Sequence, residues 1–323
     1  MTVRRLTRRL ASRSGWNFAI CNRIPRRLAT IAMGRISRYQ NRWFAAAGVA
    51  LWRRFGGLDL RDAERLDFAS LQECFTRRLR PGARTVIADP RRLASPCDAI
   101  VGACGTIDQG LLFQAKDSRY ALAELLQDRG LAAVHENGCY ATLRLRAGMY
   151  HRFHAPHDCG VERVDYVAGD TWNVNPPALA RVPRLFCRNE RAVIRCRLES
   201  GTPITIVPVA AILVASIRLR FVDVRLHLRH RGPNRIDCDA RLVKGEEMGW
   251  FEHGSTIIVL APAGAELCSG IVPGREIRMG EALMRLDDGV IPRPVATDRH
   301  AGRITADADD GSVSPRSRRA PPS

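Results

Sequence analysis

Residues 204–217 read ITIVPVAAILVASI, and residues 256–260 read TIIVL. Both runs are rich in β-branched and aliphatic side chains, which favour a pleated, buried backbone. The same texture recurs at Tyr140–Leu145, Ala192–Leu198 and Arg220–Leu228, with Gly, Pro, Asn and Asp breaking the runs at intervals of about ten residues. Only Ala121–Leu126 interrupts them as a short predicted helix. From about Thr85 to Leu286 the chain therefore reads as a β-rich domain.

Outward from that domain the composition changes twice. Leu60–Leu79, carrying Ala63, Leu66, Phe68, Leu71, Cys74 and Phe75, has the apolar spacing of a helix. Before it, Met1–Arg54 holds thirteen arginines and no acidic residue. Leu28, Ile31 and Ile36, with Met33 nearby, form a helical apolar stripe among those arginines. That pairing suits an interfacial helix, its apolar face at the acyl boundary and its cations among anionic head groups. The alternative is a helical hairpin packed on its own domain. After Leu286 the chain turns to Pro, Arg, Asp, Ser and Ala and ends in SVSPRSRRAPPS, too polar to bury a core. The expected fold class is α+β, a β-rich core of packed antiparallel sheets with a helical, basic N-terminal region. Its divisions are 1–55, 56–286 and a disordered tail, 287–323.

Fifty-one Lys and Arg against 33 Asp and Glu leave a net charge of +18, which points to a polyanionic partner. Nucleic acid is disfavoured: the chain is 6% aromatic, and its N-terminal arginines sit among aliphatics rather than stacking platforms. An anionic membrane fits better. The ten cysteines include no CxxC pair and no zinc-site spacing, so no metal is expected. No apolar signal region follows the basic start, and Phe44–Trp52 is far shorter than the roughly 20 residues that span a bilayer. These features place the protein on the cytoplasmic face of the membrane, peripherally bound, with reduced thiols.

Three short segments carry chemistry. Tyr150-His151-Arg152-Phe153-His154-Ala155-Pro156 sets two imidazoles three residues apart. His157 and Asp158 follow, the further ligands a metal would need. Gly254-Ser255-Thr256 places a hydroxyl immediately before an apolar strand, where a strained, exposed turn fits. Ser95-Pro96-Cys97-Asp98 puts an aspartate ahead of the Gly-rich run Ala99–Gly105. Alone, each reads equally as a polar turn, a hairpin corner or an Asx-turn.

Together, in this order, they resemble the hallmarks of the phosphatidylserine decarboxylase family. The likeness extends through FTRRLRPGAR at 75–84, Gln114-Ala115-Lys116 with Tyr120 and Leu125-Leu126, and Gly169-Asp170 with Val174-Asn175-Pro176. It continues through Leu185–Arg191 and KGEEMGWF at 244–251 and covers roughly residues 45–286. The resemblance implies an inactive proenzyme cut by its own Ser/His/Asp triad between Gly254 and Ser255. Carried over, Ser255 is the nucleophile, His154 its general base and Asp98 the carboxylate that orients the imidazole. The cut yields a β chain, 1–254, and an α chain, 255–323, which stay associated. Ser255 becomes a covalent pyruvoyl group, the electron sink for removing CO2 from phosphatidylserine to give phosphatidylethanolamine. His151 is the implied proton donor to the resulting carbanion. Pairing of two copies into a homodimer is left open. A relative acting on a different amine-bearing carboxylate is the alternative reading.

Four positions depart from the family pattern. Ala99, Ala210 and Ala215 stand where glycine is usual, and His253 stands where a small or apolar residue is. An added methyl there would crowd a close backbone approach or resist a positive φ. Arg152 and Lys116 are candidate phosphate partners, with a structural role the favoured reading of each.

Overall fold

The strand Ser255–Ala261 has all seven side chains buried, and its two flanks explain why. It pairs antiparallel with Pro203–Ala210 on one side and Cys139–Arg144 on the other. In the computed structural model, residues 26–115, 118–211, 216–222, 225–226, 232–252 and 255–287 are described. Lys116, Ala215, His253, Gly254 and the tail from 288 lie outside the described residues, as does much of the segment around Arg220–Leu228. Among the described residues, an eight-stranded antiparallel sheet forms the centre. Its order is Arg235–Leu242, Cys159–Val167, Arg191–Leu198, Pro203–Ala210, Ser255–Ala261, Cys139–Arg144, Ala99–Thr106 and Glu276–Ile277.

A four-stranded sheet, Arg225–Leu226, Ile217–Leu219, Glu247–Phe251 and Arg152–His154, carries the histidine segment. Phe153 and Phe251 meet across it, ring centroids 5.4 Å apart. A three-stranded sheet of Arg92–Ala94, Ala282–Arg285 and Glu266–Leu267 and a hairpin of Leu111–Ala115 with Ser118–Ala121 complete the β structure described. The expected α+β, β-rich class is what forms. Tyr140–Leu145, Ala192–Leu198 and Thr256–Leu260 each appear as strands within one residue of the expected ends.

Two helices precede this core, α1 (Arg26–Ser37) and α2 (Arg42–Phe55). Asn41 caps α2, its side chain accepting from Phe44 N at 2.9 Å. Ile31 and Met33 of the expected stripe are half-buried, whereas Ile36 is exposed. The helix expected over Leu60–Leu79 does not form. Ser70 caps the helix, its Oγ accepting from Glu73 N, and Glu73 accepts from Ala69 N, which starts the helix eleven residues late. Only α3 (Leu71–Phe75) results. Leu60, Ala63 and Phe68 instead fold into a small apolar cluster with Val49 and Leu58, and Ala63 bridges to Leu79. Their spacing serves that cluster, not a helix face.

Candidate active site

Ser255 opens its strand opposite Ala210, and its carbonyl accepts from Leu145 N at 2.9 Å. Those bonds hold the backbone while the side chain is left unsatisfied. Ser255 is fully buried, and its Oγ has no hydrogen-bond partner among the described residues. A buried hydroxyl without a partner costs about 1–3 kcal/mol, and such exceptions concentrate where chemistry needs a reactive group. Ser255 lines a cavity of about 980 Å³ whose walls are mostly apolar: Met33 of α1, Phe44, Leu51, Trp52 and Phe55 of α2, Phe75 of α3, Leu145 and Val174.

His154 ends the strand Arg152–His154, and its backbone N donates to Pro96 O at 2.8 Å, fastening it to the Ser95–Asp98 segment. Its Nδ1 is 2.8 Å from Gly245 O. A carbonyl only accepts, so Nδ1 carries the proton and Nε2 of the neutral ring holds the lone pair. Tyr150 Oη lies 3.0 Å from Nε2 and donates to it. Burial pushes the His154 pKa down, keeping the ring neutral and basic, and pushes the Tyr150 phenol up, keeping it a donor. Gly245 adopts φ +86°, a left-handed conformation, and a Cβ there would approach Val86 to 2.7 Å. Glycine is what lets this carbonyl face the imidazole.

Asp98 is buried and takes its hydrogen bonds elsewhere. Arg84 grips it with Nε–Oδ1 2.9 Å and Nη2–Oδ2 2.5 Å, and Met279 N donates to Oδ1 at 2.9 Å. Arg84 also reaches Asp62 at 2.7 Å. Asp98 thus acts on His154 through space, its charge favouring the protonated ring, while the hydrogen bond to Nδ1 comes from Gly245. Asp98, Arg84 and Tyr150 line a second, polar cavity of about 500 Å³. Gly56 and Arg146 belong to the walls of both cavities.

His151 is fully buried, with Nδ1 2.8 Å from Met149 O. Its ring lies against Phe75 with centroids 3.9 Å apart, and Phe75 in turn stacks on Trp52 at 5.7 Å. His151 therefore stands one aromatic layer behind the wall of the apolar cavity.

The sequence profile for phosphatidylserine decarboxylase matches residues 71–285. A phosphatidylserine decarboxylase proenzyme of Xanthomonas axonopodis pv. citri is 37% identical over 240 residues, covering 72% of this chain and 85% of the relative. That of Haemophilus influenzae is 38% identical over 223 residues, covering 67% and 77%. This chain belongs to the phosphatidylserine decarboxylase family.

Against the family pattern, Ala99 and Ala210 are buried strand residues, and neither has a positive φ. Their methyls meet no conformational penalty. Arg152 is structural: its guanidinium bonds to Thr76 O at 2.7 Å and Glu247 at 2.7 Å. His157 is 2.7 Å from Pro90 O, and no group of residues suited to a metal ion is present among the described residues. Tyr150 and Gly245, in contact with His154, and Arg84, in contact with Asp98, carried no role in the sequence reading. All three lay inside quoted motifs, but a backbone carbonyl such as that of Gly245 leaves no mark on residue type.

One further contact holds the segment that precedes Ser255. Glu252, buried, accepts from Arg38 Nη2 at 2.5 Å and from Ser216 Oγ at 2.5 Å. Arg38 follows α1 and also donates to Gln72 at 3.1 Å. The helical N-terminal region is thereby tied to the last described residues before the Gly254–Ser255 bond.

Proposed function

We propose that this chain is a self-cleaving phosphatidylserine decarboxylase proenzyme, and that the buried Ser255 hydroxyl, unpartnered among the described residues, is the group from which its activity grows. In the first step Oγ attacks the Gly254 carbonyl carbon, the peptide C–N bond breaks, and the chain passes from amide to ester as the nitrogen gains a proton. His154 Nε2 takes the hydroxyl proton. Its lone pair and depressed pKa fit that task, once Tyr150 yields the position. Asp98 stabilises the imidazolium through its charge. Elimination of the ester releases 1–254 with a carboxyl terminus. Hydrolysis of the unsaturated remainder, with loss of ammonia, leaves a pyruvoyl group on 255–323.

The site fits that group: Ser255 begins a rigid strand, its side chain is small, and the cavity it lines is large and apolar. When present, the group supplies an electron sink for decarboxylation of an amino acid. The remaining roles fall to this chain's own side chains. The apolar walls around Ser255 exclude water and favour loss of a charged carboxylate as neutral CO2. His151 is the proton donor in its imidazolium form: the Nδ1 proton stays committed to Met149 O, and the second proton, at Nε2, is the one moved.

The substrate's acyl chains are accommodated by the cavity between α1, α2 and the sheet. Trp43, Phe55 and Leu51 of α2 are 87%, 76% and 62% exposed, and Leu51 and Phe55 also line that cavity. Arg42, Arg53 and Arg54 lie on the same helix. Such a surface docks on an anionic leaflet, each arginine adding about 1 kcal/mol. No described helix is long and apolar enough to cross a membrane. We therefore divide the chain into a docking region, 1–55, a catalytic domain, 56–286, and a tail. The nine cysteines among the described residues are free, which supports the cytoplasmic face as the working side.

Intact mass of the purified protein tests this reading. Fragments corresponding to 1–254 and 255–323, the second with a blocked N-terminus, are expected, together with release of CO2 from phosphatidylserine vesicles. Ser255→Ala should remain a single inactive chain. Cleavage of that variant at the same bond would end the assignment.

A further inference from the structure

Among the described residues, the apolar cavity beside Ser255 is lined by a cation, Arg144, whose charge has no ion-pair partner. Arg144 ends the strand Cys139–Arg144, where it pairs with Thr256 on one side and Ile100 on the other. It is half-buried and lines the cavity together with Ser255. Among the described residues it has no hydrogen-bond or ion-pair partner, although most arginines around it are paired. Arg146, its neighbour in the same wall, is bonded to Glu276; Arg84 and Arg152 are fully engaged. Burial and the like charge of Arg146 both push the Arg144 pKa down. A guanidinium in that setting is stabilised by a bound anion more than by anything the protein supplies.

The substrate proposed above offers two anions, a serine carboxylate and a phosphodiester. A cation on the carboxylate would hold the charge that must vanish as CO2 leaves, favouring the ground state over the transition state. A cation on the phosphodiester keeps its partner throughout the reaction. We infer that Arg144 is the specificity residue for the lipid's phosphodiester, anchoring the head group where the acyl cavity meets Ser255. The planar guanidinium can offer that group two parallel N–H donors, which a lysine cannot. Binding of this kind is equal in ground and transition states, so it sets KM and leaves kcat alone. The inference rests on the substrate assigned under the proposed function.

The test uses short-chain dihexanoyl lipids, soluble enough to bypass membrane docking. For Arg144→Gln, KM for dihexanoyl phosphatidylserine should rise about tenfold with kcat within twofold, and intact mass should show complete cleavage. Arg144→Lys should fall between. Calorimetric binding of dihexanoyl phosphatidylethanolamine, which keeps the phosphodiester and lacks the carboxylate, should weaken by a similar factor. Unchanged binding of that lipid would overturn the inference, and if only phosphatidylserine binding weakened, the cation would belong to the carboxylate. A fall in kcat at constant KM would also overturn it. Loss of turnover in the unmodified protein, with lipid binding still dependent on Arg144, would instead sink the decarboxylase reading and leave the anion site standing.

Discussion

The two cavities that meet at Gly56 and Arg146 are built on opposite principles. In the apolar one, Ser255 and Arg144 are polar groups with no hydrogen-bond partner among the described residues. In the polar one, Asp98 holds three hydrogen bonds, and Arg84 bridges it to Asp62. His154 is held at Nδ1 by Gly245 O and at Nε2 by Tyr150, which lines the polar cavity. Among the described residues, Ser255 and Arg144 lack partners, whereas Asp98 and His154 are fixed from more than one side. That is how electrostatic preorganisation looks in a precursor, with reorganisation confined to the few atoms that move.

The contrast can be broken at its most saturated point. Asp98→Asn keeps the shape but removes the charge that supports a protonated His154, and it leaves Arg84 facing a neutral amide. Processing should stop, with full-length protein the only species in a denaturing gel. Normal cleavage would mean that Gly245 O alone orients the imidazole and that Asp98 merely anchors Arg84.

The next effect is on pH dependence. Because burial lowers the His154 pKa, the basic form persists below the ordinary histidine range. Cleavage of freshly translated precursor should therefore hold its rate as pH falls through about 6.5 and decline only in more acidic buffer. Tyr150→Phe removes a donor that favours the neutral ring, so its decline should begin at higher pH. An identical profile in both proteins would exclude Tyr150 from the proton's path.

The smallest change concerns the strap on the scissile segment. Glu252→Gln weakens the bonds from Arg38 and Ser216 without emptying the site. Cleavage should slow by about an order of magnitude, the worth of one charge-assisted hydrogen bond, while the folded fraction by circular dichroism stays constant. Arg38→Ala should slow it similarly. If neither variant alters the rate, the contact is only a packing detail.

What could be read from residues alone follows from how each element declares itself. The central strands Pro203–Ala210 and Ser255–Ala261 are buried on both faces, so they read as unbroken apolar runs. The edge strand Arg235–Leu242 (RIDCDARL) instead alternates, Ile236, Cys238, Ala240 and Leu242 toward the core and Arg or Asp toward solvent, so it shows no unbroken apolar run. The helix expected over Leu60–Leu79 failed because apolar spacing was weighed above the local hydrogen bonds of Ser70 and Glu73. At the site, Asp98, His151, His154 and Ser255 were legible because side-chain type carries their chemistry. The partners that set their states were not: Gly245 acts through its carbonyl, Arg84 across fourteen positions, and Phe75 by stacking on His151.

The placement of Ser255–Ala261 has a consequence for the mature molecule. A break before Ser255 would leave this strand, and Glu276–Ile277 at the sheet's far edge, hydrogen-bonded to strands from the other side of the break. Two polypeptides would then share a single cooperative melting transition, and only denaturant would part them. Once parted, they should rejoin poorly, because the information for threading one fragment between its neighbours was held in a covalent continuity that no longer exists.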